Sequence, residues 1–188
     1  MKTRLIAFSV AALILLAIPV GQILRYETVI HRGKTFIFKC EPYDPYDPFR
    51  GRYVRIRVGN EVKLSKKLKT AKQNSWRSII GWTVVEIGQD GLAHCVGFTL
   101  NKPDNGDYIK CHGKKKYSNK KQNSWRVDLE VDRIFMNEKL APRAEQAQRN
   151  SKNNFTVELK LYKGKVVPVK LYMNGKPVVE QLKNGVKP

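Results

Sequence analysis

For its size, this sequence is short of acid. Asp and Glu number 16 against 36 Lys and Arg, a formal net charge of +20 over 188 residues. A field of that size favours polyanions: nucleic acid, anionic lipid headgroups or an acidic protein. Cysteine is scarce too. Cys40, Cys95 and Cys111 are an odd set, so at most one intramolecular disulfide can close. No cysteine directly follows the N-terminal apolar run, which argues against lipoprotein processing. Residues 17–22 offer no A-x-A cleavage pattern, because Pro19 and bulky residues intervene. The Walker loop, G-x-G-x-x-G, H-E-x-x-H and G-x-S-x-G are all missing. The common signatures of nucleotide binding, zinc peptidases and α/β-hydrolases are therefore absent, and no catalytic residue, metal site or cofactor is assigned.

What is present begins with residues 5–24, almost wholly apolar, where only Ser9 and Gln22 carry polar side chains. Twenty helical residues span about 30 Å, the thickness of the hydrocarbon layer. The expected division is an uncleaved transmembrane anchor over 1–25 and a β-rich domain over 26–188. That domain is read as one unit, or as two small subdomains sharing a core with a boundary near 122. Lys2 and Arg4 precede the apolar run, while Arg25, Arg32 and Lys34 follow it, so the positive-inside rule pulls both ways. Long domains translocate largely regardless of charge, so the expectation is a single pass through the cytoplasmic (inner) membrane with the C-terminal domain in the periplasm. A domain outside the cytoplasm seldom meets nucleic acid, and no nucleic-acid partner is expected. The lysine-rich stretches at 63–72 and 110–121 read either as a solvated basic surface or as a seat on anionic lipid headgroups.

The domain reads as mainly β, with antiparallel sheets or a partly open barrel and one short helix. Residues 26–30 and 35–38 suggest a first strand, and residues 76–87, rich in β-branched and aromatic types, suggest another. Asp90-Gly91, Lys163-Gly164 and Asn174-Gly175 are hairpin turn signals. Residues 92–100 and 108–112 read as the two arms of a hairpin. Residues 125–134 alternate Val127, Leu129 and Val131 against Asp128, Glu130 and Asp132, and residues 155–161 alternate in the same way. Pro168 predicts an edge or a bulge, and residues 142–149 a helix with Pro142 in its first turn. Residues 177–179 read as a final strand.

Residues 41–58 are the most distinctive run. Pro42, Pro45 and Pro48 stiffen an extended arm, Gly51 permits a sharp turn, and Tyr53, Arg55 and Arg57 alternate with Val54, Ile56 and Val58 as a strand. The run Asp44-Pro45-Tyr46-Asp47-Pro48-Phe49-Arg50-Gly51-Arg52-Tyr53-Val54-Arg55-Ile56 resembles the hallmark of the bacterial family named after its GDYXXLXY motif. Residues 91–108, with Lys102-Pro103-Asp104-Asn105-Gly106-Asp107-Tyr108, and residues 132–145 extend the resemblance over most of the chain after the apolar run. The chain departs from the motif at Arg52, Ile56 and Val58, where the name has Asp, Leu and Tyr. The resemblance implies a single-pass membrane-anchored protein, carries no activity with it, and suggests a polytopic membrane protein as partner. Tyr43, Asp44, Tyr46, Asp47, Phe49, Arg50, Arg52 and Tyr53 are the candidate partner-binding residues, since aromatics beside arginine are enriched at interface anchors. The plainer reading of the same arm is a structural brace.

His94-Cys95 and Cys111-His112 mirror one another across the expected hairpin. Neighbours on a strand face opposite sides, so the cysteines would share one face and the histidines the other. That arrangement suits a Cys95–Cys111 disulfide or two buried thiols better than a four-ligand metal site. The hexapeptide Lys-Gln-Asn-Ser-Trp-Arg occurs at 72–77 and again at 121–126. It marks either paired ligand sites or two equivalent junctions whose Trp plugs the core. The function expected is a non-enzymatic binding or accessory component of an envelope membrane-protein complex. The alternatives are an envelope hydrolase whose barrel resembles that of signal peptidase in shape, and a structural protein seated on anionic lipid.

Overall fold

The computed structural model describes residues 2–42, 53–59, 61–63, 78–115, 124–129, 131–150 and 153–183. Helix α1 (Lys2–Arg32) is 31 residues long, and its stretch Ile6–Arg32 is apolar enough to cross a membrane, with none of its most apolar window buried against protein. The helix continues past residue 25, and residues 26–30, expected as strand, are helical. Tertiary packing explains this, since Val29 is buried against the domain; Glu27 and His31 also pair one turn apart (3.2 Å), and Thr28 Oγ1 donates to Leu24 O (2.7 Å). Gly33 N–H donates to Val29 O (2.9 Å) and closes the last turn.

Two antiparallel sheets share one apolar core. The first is built from β1 (Lys34–Pro42), β2 (Tyr53–Val58), β8 (Arg133–Phe135), β9 (Phe155–Tyr162), β10 (Lys165–Met173) and β11 (Lys176–Pro177). Its strand order is β11-β10-β9-β1-β2-β8. It turns Phe36, Phe38, Val54, Ile56, Val157 and Leu159 inward. The second contains β3 (Glu61–Lys63), β4 (Ile79–Ile87), β5 (Ala93–Thr99), β6 (Tyr108–Lys115) and β7 (Ser124–Leu129), in the order β3-β7-β6-β4-β5. Its edge strands β3 and β5 approach one another, so the sheet curls into a half-barrel.

The curl has a local cause. Glycine stands at 81 on β4 and at 113 on β6, and the Phe98 ring of β5 fills the space above both. A Cβ would lie 2.5 Å from Phe98 Cζ at Gly81 and 2.7 Å from it at Gly113. Phe98 faces inward only because of a bulge. Trp82 pairs with Thr99 but Val84 with Val96, leaving one extra residue on β5 at Gly97 and Phe98. Gly97 takes φ +75° there, a left-handed conformation that glycine adopts without a steric penalty. Ala93 and Cys95 point inward before the bulge, and Phe98 after it. The buried Thr83 hydroxyl donates to Gly97 O (2.8 Å), so the bulge carbonyl is satisfied. Trp125 then stacks on Phe98 at 5.8 Å.

Several expectations are revised by this topology. Residues 92–100 and 108–112 do not form a hairpin, because β4 lies between β5 and β6. Cys95 sits opposite Val85 and Cys111 opposite Gly81, on the two flanks of β4, and both are buried thiols rather than a cross-strand disulfide. β4 is hydrogen-bonded along both edges, to β5 over Trp82–Ile87 and to β6 over Ile79–Val84, and so stands between the two cysteines. Residues 125–134 divide between β7 in one sheet and β8 in the other, with Ile56 N–H donating to Asp132 O (3.0 Å) at the crossing. After β11 the chain forms helix α3 (Val178–Lys183) instead of a longer strand, burying Val178 and Leu182 one turn apart. With α2 (Ala141–Arg149) the described residues of the domain hold two short helices, and Arg143 Nη1 donates to Leu182 O (2.7 Å) between them. The α2 helix, the bulge at Pro168 and the three glycine turns lie where the sequence places them.

Phe98→Ala should lower the stability of the full chain in detergent by about 3–5 kcal/mol. Gly113→Val should lower it by about 1–3 kcal/mol although it adds apolar surface. Denaturant midpoints check both, and a Gly113→Val chain as stable as the wild type would show that the ring is not confined. Burial also pushes the Cys40 and Cys95 thiols up to about 12. Unfolded thiols ionise near pH 8.5, so above about that value the unfolded chain binds fewer protons than the folded one. Stability should therefore fall as pH rises from about 8.5 towards the folded values, with a slope on the order of 1 kcal/mol per pH unit for each thiol. Comparing midpoints from pH 7.5 to 10 with those of a Cys40→Ala/Cys95→Ala chain isolates this contribution, which the double variant should lack.

Candidate functional site

A cleft of about 640 Å³ opens where α1 meets the domain. Gln22, Arg25, Tyr26 and Val29 line it from the helix, and their spacing of three or four residues places them on one face. The opposite wall is the tip of the β9–β10 hairpin. There Lys163 (φ +48°) and Gly164 (φ +81°) form the turn, a left-handed pair that matches the twist of a two-residue hairpin. Gly164 also fits beneath two rings: a Cβ would lie 2.6 Å from Trp82 and 3.0 Å from Tyr108. The tip is joined to the other sheet, with Lys110 N–H donating to Gly164 O (3.1 Å) and Ile109 bridging to Gly164. Nearby, Lys34 Nζ meets Asp107 Oδ2 at 2.9 Å, tying the start of β1 to the loop before β6.

The cleft is basic and aromatic. Arg25, Lys110, Lys163 and Lys165 line it together with Tyr26 and Trp82, and among the described residues no Asp or Glu does so. Among the described residues, none of these four cations is held in an ion pair. Trp82 meets Tyr108 edge to face at 5.5 Å, Lys102 lies 5.3 Å above the Tyr108 ring, and Lys163 lies 5.4 Å above Tyr162. Such a surface attracts anions and offers rings to apolar or planar groups.

The residues singled out in the sequence are placed differently. Tyr43, Asp44, Tyr46, Asp47, Phe49, Arg50 and Arg52 lie outside the described residues, as does the first hexapeptide copy. Tyr53 is buried, with Arg133 5.2 Å above its ring and Phe135 against its edge at 6.1 Å. Its ring is packed within the domain and is not exposed. In the second hexapeptide copy Trp125 plugs the core against Phe98, and Arg126 reaches across to Glu41 of the other sheet. His94 pairs with Asp90 at 3.0 Å within the β4–β5 turn, and that contact, with the Leu92 N–H, holds the Asp90 carboxyl below its ordinary range. A smaller cleft of about 220 Å³ holds Arg57, Asp128 and Asp132. Both carboxylates have cationic partners: Asp128 meets Lys114 and Arg126, and Asp132 meets Arg133. Among the described residues no three His, Cys, Asp or Glu side chains gather as a metal site requires.

Sequence reasoning missed the basic cleft because its cations are spread from residue 25 to residue 165 with no common motif. The one available signal was Arg25 standing directly after the apolar run. Comparison with curated proteins and with solved structures finds no match. A family model described as GDYXXLXY protein matches residues 15–171, from within α1 to within β10. With that match over most of its length, the chain belongs to the GDYXXLXY family.

Proposed function

We propose that this chain is a single-pass membrane protein whose β domain serves as a non-enzymatic binding component of an envelope membrane-protein complex. The observation that carries the reading is the continuity of α1. One unbroken helix leads from an apolar stretch long enough to cross a bilayer into a turn whose Val29 is packed in the domain. The domain is thereby held at the membrane surface without a flexible linker, a geometry suited to engaging a neighbour in the same bilayer. In this reading the helix starts in the cytoplasm, the domain lies in the periplasm, and the partner is a polytopic membrane protein met through the arm that carries Tyr43, Tyr46 and Phe49.

Topology is the first test. Alkaline phosphatase fused to the C-terminus should be active, and a reporter that works only in the cytoplasm should be silent. The opposite pair of results would invert the proposed orientation. Replacing Tyr46 and Phe49 by Ala should reduce co-purification of the partner from detergent-solubilised membranes and leave the unfolding midpoint unchanged. Loss of folding in that variant would instead make the arm a brace.

A further inference from the structure

We propose that the cleft between α1 and the β9–β10 hairpin binds the phosphate headgroup of an anionic membrane phospholipid. The proposal rests on α1 spanning the bilayer, and it goes beyond a general attraction of basic surface to membrane by naming one site. Position is the first argument. From Ile6 to Arg25 an α-helix rises about 28 Å, close to the roughly 30 Å of the hydrocarbon layer. Arg25 and Tyr26 therefore leave the apolar layer at the depth of the headgroups, and the cleft they line opens there. Trp and Tyr are the residues that settle at this interface, and Tyr26 and Trp82 flank the cations.

Chemistry is the second argument. Arg25 comes from the helix, Lys163 and Lys165 from the hairpin and Lys110 from the other sheet, so three separate elements bring positive charge to one concavity. A phosphodiester offers an anionic centre with several acceptor oxygens to such a set. The concavity is preorganised, because Gly164 is bonded to Lys110 N–H and wedged beneath Trp82 and Tyr108. Little ordering is then required on binding. Val29, Val166 and Val167 line the same cleft and offer apolar surface to the start of an acyl chain, which inorganic phosphate lacks.

The test uses the full chain. It is reconstituted with phosphatidylcholine containing a minor fraction of phosphatidylglycerol, extracted in mild detergent, and its retained lipid is counted by native mass spectrometry. One phosphatidylglycerol per chain should be retained in preference to phosphatidylcholine. Lys110→Gln/Lys163→Gln should reduce that retention about twenty-fold or more, since each lysine near an anionic surface contributes about a five-fold effect. Lys170→Gln/Lys176→Gln removes the same charge from exposed positions outside the cleft and should leave retention unchanged. All four side chains are exposed, so folding should survive in both variants. Equal losses in the two variants would overturn the site in favour of diffuse attraction. Inorganic phosphate that displaces the lipid at matched concentration would overturn the lipid assignment. Extraction of the wild-type chain by alkaline carbonate would defeat the spanning helix itself, an outcome separate from failure at the cleft.

Discussion

The Phe98 ring, lying across two glycines, is the contact on which the domain's shape depends. Strands β4 and β6 present no side chain at 81 and 113, and the ring occupies the volume two side chains would have filled. A sheet that is thin at its centre and thick at its rim bends towards the filled side, and β3 and β5 are thereby drawn together. The bulge at Gly97 is required for this, because a regular β5 would point Phe98 outward and leave the slot empty. Thr83 stabilises the bulge with a hydrogen bond, and Trp125 closes the open side of the ring. Four strands, β4 to β7, are thus coupled through one aromatic group.

From that half-barrel follows the placement of everything at the base of α1. The curl carries β4 and β6 to where Trp82 and Tyr108 receive the turn of the β9–β10 hairpin. The hairpin in turn receives the last turns of α1, which buries Val29. The helix, the six-stranded sheet and the five-stranded sheet meet at this junction, joined through the backbone at Gly164. A helix that connected to β1 by a long loop would leave the domain free to turn. The continuous helix does not.

The excess of basic residues is used in two ways. Several cations serve the fold: Arg126 ties β7 to Glu41 of β1, Lys114 neutralises Asp128, and Lys34 holds Asp107. The acids are few, so many lysines have no such role. Those lining the junction are grouped by topology and not by sequence, which distinguishes the cleft from the scattered basic surface around it. Like charges brought together at a fixed concavity repel one another, and an anion seated there relieves that repulsion.

Much of the local structure was legible in the sequence. Apolar length marked the helix, period-two alternation marked β9, and Gly with Asp, Lys or Asn marked the turns, because each of these signals acts within a few residues. Pro142 and Pro168 announced a helix start and a bulge for the same reason. Strand order was not legible. Residues 92–112 have the pattern of a hairpin, and only the insertion of β4 between its arms separates Cys95 from Cys111. Nor could alternation alone reveal that one extra residue at Gly97 reverses which side chains face the core. The cleft lay furthest from view, since Arg25, Trp82, Lys110 and Lys163 are strangers in sequence and become neighbours only when two sheets and a helix close on one another. The long apolar helix, the turns and the β character could be read from the chain alone, because they depend on local sterics and on the apolar pattern. The tertiary structure alone decided the strand order, the state of the cysteines and the site, because those depend on which surfaces compete successfully for the same partner.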